Sequence, residues 1–328
     1  MSVERIAVIG GGAWGTALAQ VAATGGRETL LWAREDEVVA AINQAQENSV
    51  FLPGLPLDPA IRATSDIAEI AGCEAWLMVT PAQHMRAVLE TAPRSDAPRV
   101  LCSKGIEEGS GKLLHQVAAE VSGGAPIAVL SGPTFAHEVA RGLPTAVTLA
   151  AEDSAVAEAL RDRLALSTFR IYLSDDVAGA EVGGAVKNVL AIACGVVEGR
   201  GLGQNARAAL IARGFAEMTR FGLAFGARRE TLAGLSGLGD LVLTCSSTSS
   251  RNFSLGKGLG EGRSAAELMA DRRTVAEGAF TAPVLARLAR TRGIDMPIVE
   301  SVDRILGGAS VDSVLEDLLS RPPRAEGI

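Results

Sequence analysis

The sequence predicts a two-domain α/β protein: an N-terminal doubly wound, mostly parallel sheet followed by an all-α C-terminal domain. Three observations predict it. Four glycines crowd the six positions from Gly10 to Gly15, between the apolar runs AVI and TALA. Short apolar stretches then alternate with helix-like ones to about residue 177, the pattern of strands joined by crossover helices. Beyond that point strand signals fade and helical periodicities take over. At 328 residues the chain is also too long for one ordinary core.

Strands are expected at 5–10, 28–33, 75–80, 99–103, 126–131, 145–150 and 168–173, each a short run rich in Val, Ile, Leu, Thr or aromatic residues. Helices are expected between most of them, at 14–24, 35–46, 82–91, 112–121 and 154–165. Val38, Val39, Ala41 and Ile42 form one apolar face of the second helix, and Asp153 stands where it can cap the last. The stretch NSVFLPGLPLDP (48–59) carries three prolines and interrupts the alternation. Later helices are expected at 178–198, 205–225, 264–270, 277–291, 297–306 and 311–319. The chain is thus read as one domain over 1–177, a helical domain over 178–320 and a polar tail over 321–328.

Composition excludes several classes. A formal charge of −7 and 4% aromatic residues argue against broad nucleic-acid binding. Four cysteines without CxxC spacing read as buried thiols in a reducing compartment, and three histidines far apart in sequence argue against a metal site. The N-terminus lacks a basic segment followed by a long apolar run. The nearest thing to a membrane span, 178–197, holds Glu181, Lys187 and Asn188, each costly in lipid, and reads as a buried helix instead. The expected location is the cytoplasm.

Gly10, Gly12 and Gly15 form GxGxxG after a strand and at the start of a helix, the Rossmann-like dinucleotide turn. The first glycine permits the tight turn, the second lets backbone approach a pyrophosphate, and the third lets the helix pack against the sheet. Unpaired N–H groups at the helix start then face the phosphates. At the end of the second strand, where an acidic residue marks NAD selectivity, the chain has Ala33, Arg34 and Glu35. Arg34 could meet a 2′-phosphate or be a solvated charge, and Glu35 could cap the next helix, so NADP is permitted and NAD is not excluded.

Lys187 lies in an otherwise apolar helix, with Gly183 and Gly184 on its face. The two missing side chains are read as leaving room for a ligand where the domains meet. Burial would bring its pKa toward neutrality, suiting proton transfer to a carbonyl oxygen; a lysine snorkelling to the surface is the alternative. Asn188 could orient a substrate hydroxyl or bond to backbone. Asp240 could pair with a buried lysine; Thr244, Ser250, Arg251 and Asn252 follow nearby, with Arg251 suited to a phosphate, although the span also reads as a polar loop. Lys104 in SKG and Gly132 in SGPTFA follow strands at the carboxyl edge where ligands of such sheets collect.

Together the segments GGGAWGTALA, FLPG, SKGIE, SGPTFA, GGAVKN, GLGDLVLTC, SRN and VAEG, in order, resemble the bacterial NAD(P)-dependent glycerol-3-phosphate dehydrogenases from the first strand to about residue 320. The resemblance implies reversible hydride transfer between NAD(P)H and dihydroxyacetone phosphate, giving sn-glycerol 3-phosphate for phospholipid synthesis. It implies Lys187 as general acid/base. It implies Lys104, Gly132, Thr134, Lys187, Asp240, Ser250, Arg251 and Asn252 as substrate contacts. Cofactor contacts would be Gly10, Gly12, Ala13, Trp14, Gly15, Arg34, Lys104, Ala136, Arg251, Val275 and Glu277, with no metal. Two departures stand out: Ala13 where many members have Ser, and Thr80-Pro81 where Val-Pro is common. The apolar second domain could support a homodimer. Competing readings are a two-domain dehydrogenase acting on a hydroxy acid or sugar acid, which would need a carboxylate clamp, and a non-catalytic dinucleotide sensor.

Overall fold

The computed structural model describes residues 5–270 and 276–322. The chain divides into two compact units, one of residues 1–103 and 114–177, the other of residues 104–113 and 178–328. The segment 104–113 therefore leaves the first unit, where sequence order alone would keep it.

The first unit contains strands β1 (Arg5–Ile9), β2 (Glu28–Trp32), β3 (Glu47–Asn48), β4 (Leu52–Pro56), β5 (Ile61–Thr64), β6 (Ala75–Met78), β7 (Arg99–Leu101), β8 (Ile127–Ser131), β9 (Thr145–Ala151) and β10 (Phe169–Ser174). Its helices are α1 (Ala13–Thr24), α2 (Asp36–Ala45), α3 (Met85–Thr91), α4 (Leu114–Val121), α5 (Ala136–Ala140) and α6 (Ser154–Leu164). Eight strands form one sheet in the order β10-β9-β8-β7-β6-β1-β2-β5. All neighbours are parallel except β8 and β9, so β9 and β10 run against the other six. β6 and β7 are buried throughout, as strands covered on both faces must be. The Asp153 carboxylate accepts a 2.8 Å bond from the Ala155 N–H and caps α6. Chain order reverses between β1 and β6, and the carboxyl ends of strands at such a switch are where this architecture binds ligands.

Three strands of the first unit depart from expectation. The proline-rich stretch supplies β4, which pairs with β3 as a two-stranded antiparallel ribbon, and Gly54 turns it at φ 75°. β5 adds a strand beside β2; its sequence, IRAT, lacks the apolar run that marks β6.

The second unit holds α7 (Val177–Gly199), α8 (Gly203–Ala224), α9 (Arg229–Leu232), α10 (Asp240–Thr244), α11 (Arg251–Gly260), α12 (Ala265–Leu268), α13 (Glu277–Arg292), α14 (Pro297–Leu306) and α15 (Val311–Leu319). A π-helical turn, Leu235–Gly239, leads into α10. α7 is long and apolar enough to cross a membrane, and its most apolar window is wholly buried in this structure. It forms the middle of a core in which Val186, Val189 and Ile192 join Met218, Phe221, Phe253 and Leu285. α7 and α11 approach backbone to backbone through glycines: a methyl on Gly256 would overlap the Ile192 carbonyl, and one on Gly195 the Phe253 carbonyl. Gly256→Ala is therefore expected to cost about 1–3 kcal/mol by overpacking, read as a melting midpoint lowered by several degrees; an unchanged midpoint would contradict this packing.

Candidate active site

In the first unit the glycine turn sits at the β1/β6 switch. Gly10 has φ +129°, and a Cβ there would come within 2.8 Å of the Val79 carbonyl carbon after β6. A Cβ on Gly15 would overlap the Gly10 carbonyl oxygen, so this glycine lets α1 start directly over the turn. Gly11, outside the fingerprint, is held by Ala33, whose Cβ an added methyl would contact at 2.5 Å. Gly12 differs: it is the N-cap of α1, and a Cβ on it would meet nothing within 4 Å. The cradle is therefore open at Gly12, beside the N–H groups of the first helical turn. That donor set fits the pyrophosphate of a dinucleotide.

Around the turn, Ala13 is the first residue of α1, and Trp14 packs on the core with its indole Nε1 buried without a hydrogen-bond partner. Arg34 is well exposed and pairs with Glu35 at 3.1 Å. Glu35 occupies the N-cap position of α2 but its side chain makes no capping bond, because Arg34 engages it. Gly132 and Thr134 follow β8: a Cβ on Gly132 would lie 2.9 Å from Val147 Cα, the Thr134 hydroxyl donates to the Gly132 carbonyl at 3.4 Å, and Ala136 opens α5. Thr80 is buried with its hydroxyl unpartnered; a valine would fill that volume without burying a polar atom.

The second unit builds a charged cluster from residues distant in sequence. Lys187, midway along α7, is 7% exposed, and Asp240, the first residue of α10, is 0% exposed. Lys187 Nζ donates to Asp240 Oδ1 at 2.9 Å and to Thr244 Oγ1 at 2.8 Å. Lys104 Nζ donates to the other carboxylate oxygen at 2.5 Å. One carboxylate thus holds two ammonium groups. Thr244, which sequence alone gives no role, lies one turn beyond Asp240 on α10, and that i, i+4 spacing is the signal for it. Gly183 serves a different purpose from the one expected: a methyl there would overlap the Ser236 carbonyl, so its missing side chain admits backbone rather than a ligand.

Burial pushes the Lys187 pKa down to about 8, with Asp240 opposing and Lys104 assisting. Burial would raise Asp240, but the Lys104 and Lys187 ammonium groups outweigh it and hold the carboxyl below its ordinary value. Of the three Lys187 donors, Asp240 and Thr244 take two.

Nearby, Asn252 Nδ2 donates to Asn188 Oδ1 at 3.0 Å, and the Gly278 N–H donates to Asn252 Oδ1 at 2.9 Å, joining α7, α11 and the start of α13. Ser250 caps α11 by accepting from the Phe253 N–H, Arg251 is its exposed first residue, and Glu277 is the first residue of α13. Val275 lies outside the described residues. Among the described residues no cluster of histidine, cysteine or acidic side chains could hold a metal ion.

A nucleotide cradle at the switch of a doubly wound sheet, followed by a helical unit with a buried lysine–aspartate–lysine cluster, is the architecture of a dinucleotide-dependent oxidoreductase. Family models described as NAD-dependent glycerol-3-phosphate dehydrogenase N-terminus and C-terminus match residues 5–157 and 176–316. The chain is 65% identical to a glycerol-3-phosphate dehydrogenase [NAD(P)+] of Erythrobacter litoralis over 98% of both chains, and equally to one of Novosphingobium aromaticivorans. A crystal structure of glycerol-3-phosphate dehydrogenase from Coxiella burnetii superposes with TM-score 0.93 at 40% identity, covering 97% of this chain and 99% of that one. The chain belongs to the NAD-dependent glycerol-3-phosphate dehydrogenase family.

Proposed function

We propose that this protein interconverts dihydroxyacetone phosphate and sn-glycerol 3-phosphate with NAD(P)H or NAD(P)+, supplying the glycerol phosphate backbone for phospholipid synthesis. Family membership supports the reaction, and the Lys187–Asp240–Lys104 cluster is the observation that carries the mechanism. When bound, the reduced nicotinamide supplies a hydride to the ketone carbon. The first unit, residues 1–177 less the 104–113 segment, binds the dinucleotide through Gly10, Gly12, Ala13, Trp14 and Gly15. The helical unit takes the substrate.

Lys187 uses its unengaged N–H to bond the ketone oxygen and passes that proton to it as negative charge develops, a role worth about 10²–10⁴-fold. Asp240 keeps the ammonium charged and points it, with Thr244 as the second brace. Two ammonium groups share one carboxylate, and the Lys187 ammonium favours an oxyanion beside it. Arg251, the fork at the start of α11, binds the substrate phosphate, and Ser250 and Asn252 add neutral donors. Phosphate binding then fixes the ketone against Lys187. Arg34, exposed and paired with the neighbouring Glu35, meets either a ribose hydroxyl or a 2′-phosphate. All four cysteines are buried thiols rather than disulfides, which supports a reducing compartment, the cytoplasm.

The test is loss of nicotinamide absorbance with dihydroxyacetone phosphate, run with NADH and NADPH across pH. Ketone reduction needs protonated Lys187, so its rate should fall as pH rises through about 8, while glycerol 3-phosphate oxidation, which needs the free amine, should rise over the same interval. Turnover of 2- or 3-oxo acids in place of dihydroxyacetone phosphate would transfer the enzyme to the hydroxy-acid class, and dinucleotide binding without any turnover would make it a sensor.

A further inference from the structure

Dinucleotide binding at the glycine turn relies on backbone N–H groups, and a turn of consecutive glycines does little by itself to aim them. We propose that Asn48, in the short β3–β4 ribbon, is a positioning residue for the diphosphate of the dinucleotide. It holds the Gly11 carbonyl inward so that the Gly12 N–H faces the open side. This inference rests on the dinucleotide-binding reading above and adds to it the residue that orients the donors.

Asn48 is fully buried. Both hydrogens of its Nδ2 are used, one on the Gly11 carbonyl oxygen at 2.8 Å and one on Thr16 Oγ1 at 2.7 Å. Its Oδ1 accepts from the Phe51 N–H at 3.1 Å. Because a backbone N–H only donates and a carbonyl only accepts, these partners fix which way the carboxamide faces. Thr16, having accepted from Asn48, donates its hydroxyl to the Gly12 carbonyl at 2.9 Å. Asn48 and Thr16 together therefore restrain two successive carbonyls of the turn.

The consequence follows from peptide geometry. No peptide bond here is cis, and in a trans peptide the C=O and the following N–H point in opposite directions. Tying the Gly11 oxygen to Asn48 turns the Gly12 N–H away from it. Tying the Gly12 oxygen to Thr16 does the same for the Ala13 N–H. The space over Gly12 is open. The Gly11–Gly12 peptide, like Gly10–Gly11 before it, has glycine on both sides, so its own sterics do little to hold its orientation. The ribbon presents Asn48 to it, and the Glu47 carboxylate braces the ribbon by accepting from the Gly54 N–H at 2.7 Å.

Asn48→Leu keeps the side-chain shape and removes the donors. Measured by nicotinamide fluorescence well below the melting point of either protein, its Kd for NADH should rise roughly ten- to a hundredfold, the worth of one hydrogen bond to a charged group. The loss should fall on NADH binding and its KM rather than on kcat. A folded Asn48→Leu protein with wild-type NADH affinity overturns the proposal. Should that variant fail to fold, Asn48→Asp, which keeps the bond from the Phe51 N–H, is compared with wild type in low salt and at about 1 M salt, where repulsion between its charge and the phosphates is screened. A loss relative to wild type that persists in high salt supports the proposal, and one that vanishes there overturns it. Wild-type protein that binds no NADH would instead overturn the dinucleotide reading itself.

Discussion

Lys187→Ala should eliminate measurable ketone reduction while NADH binds with unchanged affinity. The lysine is the proton donor in the proposed reaction, and a positioned acid of this kind contributes about 10²–10⁴-fold. Neither of its direct hydrogen-bond partners can take over: Thr244 donates its hydroxyl proton to Asp240 at 3.2 Å, and Asp240 is held ionised. The fold should survive the substitution, because Lys104 still neutralises the buried carboxylate from 2.5 Å. The check is kcat beside the Kd for NADH, with a melting curve to establish folding. A variant that turns over within about tenfold of wild type would remove Lys187 from the acid role.

Asp240→Asn should produce the largest loss of stability. The substitution keeps the shape but leaves two ammonium groups facing a neutral amide in a site with no exposed carboxylate surface. Removing one partner of a buried ion pair costs about 3–5 kcal/mol. Lys187 should respond by lowering its pKa further, so the pH at which ketone reduction fails moves below the wild-type value of about 8. The stability sign follows from linkage. A lysine whose folded pKa of about 8 lies below its unfolded 10.5 imposes a cost that is complete below pH 8 and disappears as pH rises to 10.5. In Asp240→Asn that recovery begins at lower pH and is larger. Adding Lys104→Met should restore part of the lost stability by removing one of the two charges, a coupling that a double-mutant cycle measures. Wild-type melting and an unmoved pH limb in Asp240→Asn would contradict the cluster's role.

Much of this architecture is legible along the chain because its determinants are local. The glycine spacing after RIAVI and before an unbroken helix specifies strand, turn and helix within twenty residues. Asp153 caps α6, and Pro297 opens α14, each within one helical turn of the residue that announces it. The second unit's π-helical turn and α10 were harder to read, since GLSGLGDLVLTC combines turn glycines with a helix of only five residues. β5 and the β3–β4 ribbon carry less signal because IRAT, EN and LPGLP lack the continuous apolar run that marks β6, a strand no longer than β5. Asn48 carries no signal at all in sequence, being one polar residue in a proline-rich stretch.

The sequence by itself determined the strand–turn–helix that cradles a dinucleotide, the alternation that makes a wound sheet, and the presence of an ammonium group within an apolar helix. Those depend on neighbours within a few positions, where periodicity and backbone sterics act. Tertiary structure alone decided that Lys104 and Lys187 share Asp240, that Gly183 admits the backbone of Ser236, that β9 and β10 run against their sheet, and that Asn48 grips Gly11. Each of these is a meeting across tens of residues, settled by which surfaces pack and which buried polar atoms must find a partner. Local periodicity carries no information about either.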